Sequence, residues 1–245
     1  MNANHGTAFP AACGQTNRGL VRPRNEDSFL CDDTHRVYAV ADGLGGLPDG
    51  DVASRTAIEE LGRILQKAKP GVPLNWPVVF ENINRRVVRK SPKNREDEIN
   101  LGTTLTVVQV LPGQRLRIGH VGDSGVFLFS RNQTRHLTTD HTMEQEEIAA
   151  RGPAVVDDLP EYFRHTLTQC IGQPVPLRVE ELEVAVLKDE RVLLYTDGVT
   201  KTCTADWLHD LAFESPAPES YIQSLIDYGN AAGGPDNITA IALYF

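Results

Sequence analysis

The chain has 245 residues, of which 40% are hydrophobic and 23% charged, and its 24 Lys and Arg against 33 Asp and Glu leave a formal net charge of −9. That composition belongs to a soluble globular protein with enough chain to bury a sizeable core. The negative balance argues against broad electrostatic binding to nucleic acid or an anionic membrane, so a phosphate site would have to build its own positive field from metal ions or a local Arg. The four cysteines, Cys13, Cys31, Cys170 and Cys203, lie far apart without a C-x-x-C pair, which speaks against a disulfide framework or a structural zinc site. The N-terminal stretch lacks the basic start and apolar run of a signal peptide, and no segment approaches about 18 uninterrupted apolar residues. The expectation is a cytoplasmic protein with neither a nucleic-acid nor a membrane partner.

Residues 8–42 read as strands separated by turns: FPAAC, SFLC and RVYAVAD. DVASRTAIEELGRILQKA follows, with Val52, Ile58, Leu61, Ile64 and Leu65 at helical spacing; Asp49 or Asp51 is the expected cap and Gly71 the expected end. A second helix is predicted over about Trp76 to Lys90, with Val79, Ile83 and Val87 on one face, and the polar run SPKNREDEIN reads as an exposed connection. From Leu101 to Leu137 the pattern turns to closely spaced strands, LTVVQVL, RLRIGHV, GVFLFS and TRHL, which favour an antiparallel meander. A short helix at about Thr142 to Arg151 precedes an irregular stretch. Strands at about Arg178 to Val186 and Arg191 to Thr196, helices around Ala205 to Phe213 and Glu219 to Ala231, and a last strand, ITAIALYF, complete the chain. Strands and helices are grouped rather than alternating, which predicts an α+β protein with helices covering antiparallel sheets. No repeat or linker divides the chain, so the expectation is one domain over residues 1–245.

Four acidic motifs stand out: RPRNED (Arg22 to Asp27), ADGLGG (Ala41 to Gly46), TDG (Thr196 to Gly198) and GPDN (Gly234 to Asn237). Each sets a carboxylate beside Gly, Pro or Asn, and two follow apolar runs of strand character, VYAV before Asp42 and VLLYT before Asp197. One Asp before a Gly is an ordinary turn residue. Several acids at strand ends can converge, and an oxygen-only cluster suits hard divalent cations such as Mg²⁺ or Mn²⁺. Paired ions about 3.5–4 Å apart can act together on a phosphoryl group, with one carboxylate bridging them and a cation for the remaining oxygens. Arg22 suits that last role, because its planar fork pairs with two phosphate oxygens.

The ordered set VRPRNED, ADGLGG, GTTL, GDS, TDG and GPDNIT resembles the metal-dependent Ser/Thr protein phosphatases of the 2C-like family in their compact bacterial form, from about Gln15 to Phe245. The resemblance implies a central β-sandwich of two antiparallel sheets flanked by helix pairs. It implies two Mn²⁺ or Mg²⁺ ions, with Asp42 bridging them, Gly43 contributing its carbonyl, Glu26 ligating one ion, and Asp197 and Asp236 ligating the other. Asp123 would bind a third, weaker ion with Asp197. Asp27 would support the water shell, Asn237 would orient the Asp236 loop, and Arg22 would hold the substrate phosphate. The implied reaction is attack of a metal-bridging water or hydroxide on the phosphorus of phosphoserine or phosphothreonine, without a phosphoenzyme. The implied partners are phosphorylated proteins, a Ser/Thr kinase or its targets among them, and a monomer is the default for this size.

Two positions depart from the family pattern. Many eukaryotic members carry a proton-donating His after the Asp-Gly pair, where this chain has Leu44, so the general acid is open. GDS is often followed by Arg, where this chain has Gly125. The segment from about Glu144 to Arg164 corresponds to the family's flap; its Asp157, Asp158 and Glu161 read as a solvated loop or as selection against acidic phosphopeptides. His120 and His141 read as structural histidines, His136 and His165 carry less signal, and Thr103 and Thr104 read as hydrogen-bonding residues near the site. The basic run Arg85, Arg86, Arg89 and Lys90 reads as a solvated helix face. Two other readings of the acids are a weakly catalytic phosphoprotein-binding module and a metallohydrolase of small phosphate esters. No G-x-x-x-x-G-K-[ST] run occurs, which disfavours a P-loop enzyme.

Overall fold

The computed structural model describes residues 10–45, 49–91 and 101–245. The start of the first expected strand, Gly46 of the second motif and nearly all of the expected connection SPKNREDEIN lie outside those residues. The described elements run β1 (Ala11–Asn17), β2 (Asp27–Asp32), β3 (Val37–Asp42), α1 (Gly50–Leu65), α2 (Trp76–Lys90), β4 (Leu105–Leu111), β5 (Arg115–Val121), β6 (Gly125–Ser130) and β7 (Gln133–His136). Then come α3 (Met143–Arg151), two 3-10 turns, β8 (Glu180–Ala185), β9 (Arg191–Tyr195), a one-turn α4 (Asp197–Thr200), α5 (Ala205–Glu214), α6 (Pro218–Ala231) and β10 (Ile238–Tyr244).

The strands form two five-stranded antiparallel sheets, ordered β1-β10-β9-β6-β7 and β2-β3-β4-β5-β8. Side chains alternate across a strand, so a strand buried on both faces serves two cores. In β3, Tyr38 and Val40 join Val126, Val192 and Ile241 between the sheets, whereas Val37, Ala39 and Ala41 face α1 and α2. In β10, Ile241 and Leu243 enter the same inter-sheet core, and Ala240 and Ala242 pack with α5 and α6. The result is the expected sandwich of two sheets between helix pairs.

Helix α2 spans the predicted residues. Asn75 caps it by accepting from the Val78 amide at 3.2 Å, and Val79, Ile83 and Val87 are buried. The ends of α1 differ from expectation. Asp49 takes a left-handed φ of 63° and its side chain makes no capping bond; its backbone carbonyl accepts from Val52 and Ala53 instead. The helix stops at Leu65, well before Gly71, because Lys67 and Ala68 donate back to Ile64 and Leu65 in tight three-residue turns ahead of Pro70.

The meander expected over 101–137 is also not continuous. β4 pairs with β5 in one sheet and β6 with β7 in the other. The chain changes sheets at Gly122–Ser124, so the turn between two strand runs is a crossover that carries Asp123 to the sandwich edge.

Candidate metal centre

One edge of the sandwich gathers the ends of strands from both sheets. Asp27 opens β2 and Asp42 closes β3, and the two are register partners in that antiparallel pair. Asp197 begins α4 just after β9, Asp236 precedes β10, and Asp123 sits in the crossover between β5 and β6. Arg22, Glu26, Asp42, Gly43, Asp123, Asp197, Asp236 and Asn237 line a single cavity of about 370 Å³. Asp27 lies behind it, buried.

Hydrogen bonds hold these loops in place. The Asp42 amide donates to Thr104 Oγ1 at 2.9 Å, and Thr103 Oγ1 donates to the Asp42 carbonyl at 2.8 Å. Asp27 Oδ2 accepts from Thr196 at 2.8 Å and Thr239 at 2.6 Å, which ties β2 to the strands of the other sheet. Asn237 Oδ1 accepts from the Glu26 amide at 2.8 Å, and its Nδ2 donates to the carbonyls of Arg18 and Arg24 at 2.8 and 2.9 Å. Asn237 therefore clamps the Arg22–Glu26 loop in addition to its backbone contact with Asp236 at 2.9 Å.

Two glycines mark close approaches. A Cβ on Gly43 would meet the Gly50 carbonyl at 2.3 Å and the Glu26 carbonyl at 2.7 Å. One on Gly125 would lie 2.4 Å from Tyr195 Oη, so no larger residue fits after GDS. The Asp123 loop is anchored instead through Ser124 Oγ on Thr104 Oγ1 at 2.7 Å and through the His141 amide, which donates to the Gly122 carbonyl at 2.7 Å.

The electrostatics follow from crowding acids in a dry place. Burial, and then the charges of Asp27, Asp197, Asp123 and Asp236, push the Asp42 carboxyl well above the usual carboxylate range. Burial also lifts Asp27 to about 7 against the pull of its two Thr hydroxyls. It lifts Asp123 and Asp140 to about 7 as well, with Asp197 adding to both. Burial raises Glu26 in the same way. Asp236 differs: burial opposes its charge, but hydrogen bonds from Lys201 and Arg22 hold its carboxyl below the usual range.

Arg22 grips both Asp236 oxygens, through Nε at 2.8 Å and Nη2 at 2.9 Å. Lys201 Nζ lies 2.5 Å from Asp197 Oδ2 and 2.5 Å from Asp236 Oδ2. Asp27 Oδ1 is buried with no protein partner among the described residues. These acids outnumber Arg22 and Lys201, the Lys and Arg that line the cavity with them, and their donors are all oxygen, so the residues fit Mg²⁺ or Mn²⁺. Asp42, at the meeting point of the loops and facing the charges of Asp27, Asp197, Asp123 and Asp236, is where added positive charge would relieve repulsion.

Reasoning from sequence passed over Lys201 in this cavity and gave little weight to His165; Leu44 lines it too and cannot donate a proton. The i, i+4 spacing of Asp197 and Lys201 was the available signal for the first. A side cavity of about 210 Å³ adjoins, lined by Asp123, Asp140, His165, Asp197 and Lys201 among others. Elsewhere, His120, His141 and Glu180 bring donor atoms within 4.8 Å of one another. His141 Nδ1 accepts from the Gly122 amide at 3.2 Å, so in the neutral ring Nε2 keeps its proton and has no lone pair for a metal. Arg85 is exposed and Arg86 half-buried, and they pair with Glu81 and Glu60; Asp157, Asp158 and Glu161 face solvent.

A protein-family model described as Protein phosphatase 2C matches residues 22–237. The chain belongs to that family. It is 29% identical over 238 residues to a serine/threonine phosphatase, stp, of Listeria welshimeri, covering 93% of this chain and 92% of that one. The serine/threonine phosphatase PstP/Ppp of Mycobacterium tuberculosis superposes with a TM-score of 0.83 at 26% identity, over 97% of this chain and 99% of that one. The catalytic domain of PstP in complex with two manganese ions superposes at 0.81 and 25% identity, over 96% and 98%. The chain is thus a hydrolase, a metal-dependent protein serine/threonine phosphatase with Mn²⁺ or Mg²⁺ as cofactor and phosphorylated proteins as substrates. No helix among the described residues is long and apolar enough to cross a membrane.

Proposed function

We propose that this phosphatase works with two divalent ions, which Asp42, Glu26, the Gly43 carbonyl, Asp197 and Asp236 would hold. Asp123 with Asp197 offers a third, weaker position. The observation that carries this reading is the convergence of five carboxylates, from loops of both sheets, on one cavity with Arg22 at its rim. Bound divalent ions supply Lewis acidity toward phosphoryl oxygens and make water acidic enough to act as a nucleophile near neutral pH.

The chain's own residues do the rest. Asp42 and Asp236 are pinned through their neighbouring backbone, by Thr103 and Thr104 and by Asn237, so little reorganisation is needed when charge develops. Arg22 is 39% exposed and its fork rests on Asp236; to hold a phosphate it exchanges part of that grip for the substrate's oxygens. Asp27 sits directly opposite Asp42 with one oxygen fixed by Thr196 and Thr239, which leaves Oδ1 to order water from behind. Leu44 makes this wall of the cavity aprotic, so the leaving alkoxide takes its proton from solvent or another group.

In this reading the chain is one catalytic domain over residues 1–245, monomeric and cytoplasmic, and it opposes a Ser/Thr kinase by dephosphorylating the kinase or its targets. Residues 144–164 form its flap beside the cavity. Asp42→Asn and Asp236→Asn test the assignment: each should lose at least about a thousandfold in kcat, as expected when a metal ligand goes, with an unchanged circular dichroism spectrum. Near-normal turnover by either purified variant would refute it.

A further inference from the structure

Lys201 caps the one-turn helix that begins at Asp197, and its ammonium bridges two carboxylates that are 39 positions apart in the chain, Asp197 and Asp236, at 2.5 Å each. In the reading above those same two carboxylates are metal ligands, and the inference rests on that reading. An ammonium and a metal cannot both stand where Asp197 Oδ2 and Asp236 Oδ2 converge. The side chain is 31% exposed, so part of it borders solvent. It also borders the side cavity with Asp123 and Asp140, two half-buried acids with no Lys or Arg hydrogen-bonded to either among the described residues; Arg164, the other cation of that lining, pairs with Glu144.

We propose that Lys201 is a tethered cation that competes with the divalent ion for Asp197 and Asp236. Metal uptake at that position is then an exchange: the ion enters, and the ammonium moves on its four-carbon stem toward Asp123 and Asp140. Without metal, Lys201 neutralises the pair and keeps both carboxylates aimed at one point, so the site stays assembled. With metal, its charge sits where Asp123 would otherwise draw a third ion. Lys201 thus sets the metal concentration at which the phosphatase switches on, and it acts on the reaction only through the metal ligands, as a positioning residue.

The test is Mn²⁺ binding by the full chain, stripped with chelator and titrated while free Mn²⁺ is followed by electron paramagnetic resonance, alongside the melting temperature with and without Mn²⁺. Lys201→Met keeps the apolar stem and removes the charge; Lys201→Gln is the second variant should the first yield little folded protein. Loss of the competing charge, with its two charge-assisted contacts, predicts that the Mn²⁺ site at Asp197 and Asp236 tightens by about tenfold or more. The metal-free variant should melt lower than wild type and gain more on adding Mn²⁺. A Mn²⁺ isotherm that is unchanged or weaker in both variants overturns the proposal, because the salt bridge is then structural only. If Asp236→Asn also leaves the isotherm unchanged, the metal-centre reading itself fails and the competition with it; if Asp236→Asn abolishes a site while the Lys201 variants do nothing, only the competition fails.

Discussion

Asp27 and Asp42 face one another across β2 and β3, and two ionised carboxylates in that register repel unless a cation or a proton stands near. The chain answers with two hydroxyls on Asp27 and leaves Asp42 to whatever enters the cavity. In the proposed reading Arg22 changes its role between states: its fork rests on Asp236 until a phosphate competes for it. Replacing it by Ala removes a charge-assisted pair, so Arg22→Ala should raise KM for a phosphothreonine peptide by about tenfold or more and move kcat less. Steady-state kinetics decide this, and an unchanged KM would show that Arg22 does not hold phosphate. The acids of the site were legible in the sequence because each stands at a Gly-, Pro- or Asn-marked strand end, where side chains reach a common edge. Lys201 was not, because its meaning depends on Asp236, which no local pattern brings near. His165, set aside for want of a motif, was not legible either, because its place in the cavity comes from the path of the chain before it.

At the scale of elements, the site depends on loops from different sheets being held in one frame, and Asn237 is the residue that does most of this. Its side chain satisfies the Glu26 amide and the carbonyls of Arg18 and Arg24, and it is almost fully buried. Asn237→Ala leaves those backbone groups without their partner, so it should cost at least about 2 kcal/mol of stability and lower activity with it. Urea unfolding measures the first effect; a loss below about 0.5 kcal/mol would mean that the loop is held elsewhere. Most elements were readable from periodicity, and α2 most of all, because its cap, its Pro and its apolar face agree. The strands of 101–137 were readable singly but not in their pairing. The turn Gly122–Ser124 looks local like any other, and only the packing of Val126 and Leu128 against the facing sheet sends β6 to the second sheet. The stop of α1 at Leu65 was equally hidden, since Gly71 is the stronger local signal.

For the whole molecule, a net charge of −9 and a buried nest of acids make the metal part of the protein's stability as well as its chemistry. Asp27, Asp123 and Asp140 have carboxyls raised to about 7 in the metal-free fold, against an ordinary value near 4 when unfolded. The folded chain therefore binds more protons between those values, and its metal-free stability from these groups falls as pH rises through about 7. A metal replaces those protons, so Mn²⁺ should raise the melting temperature more at pH 7.5 than at pH 5. His120, lowered to about 3 by burial and by its neighbour His141, works in the other direction, losing stability as pH falls from about 6.5. It does so with or without metal and cancels in the difference. A Mn²⁺-induced shift equal at both pH values would mean that these carboxylates are not what the metal relieves. The most direct measurement is hydrolysis of a phosphothreonine peptide by the chelator-stripped chain before and after Mn²⁺ is returned, with Asp236→Asn beside it. The account predicts no turnover when stripped, full turnover on adding Mn²⁺, and none in the variant; a stripped chain that still turns over, or a folded one that stays silent with both Mn²⁺ and Mg²⁺, would contradict it.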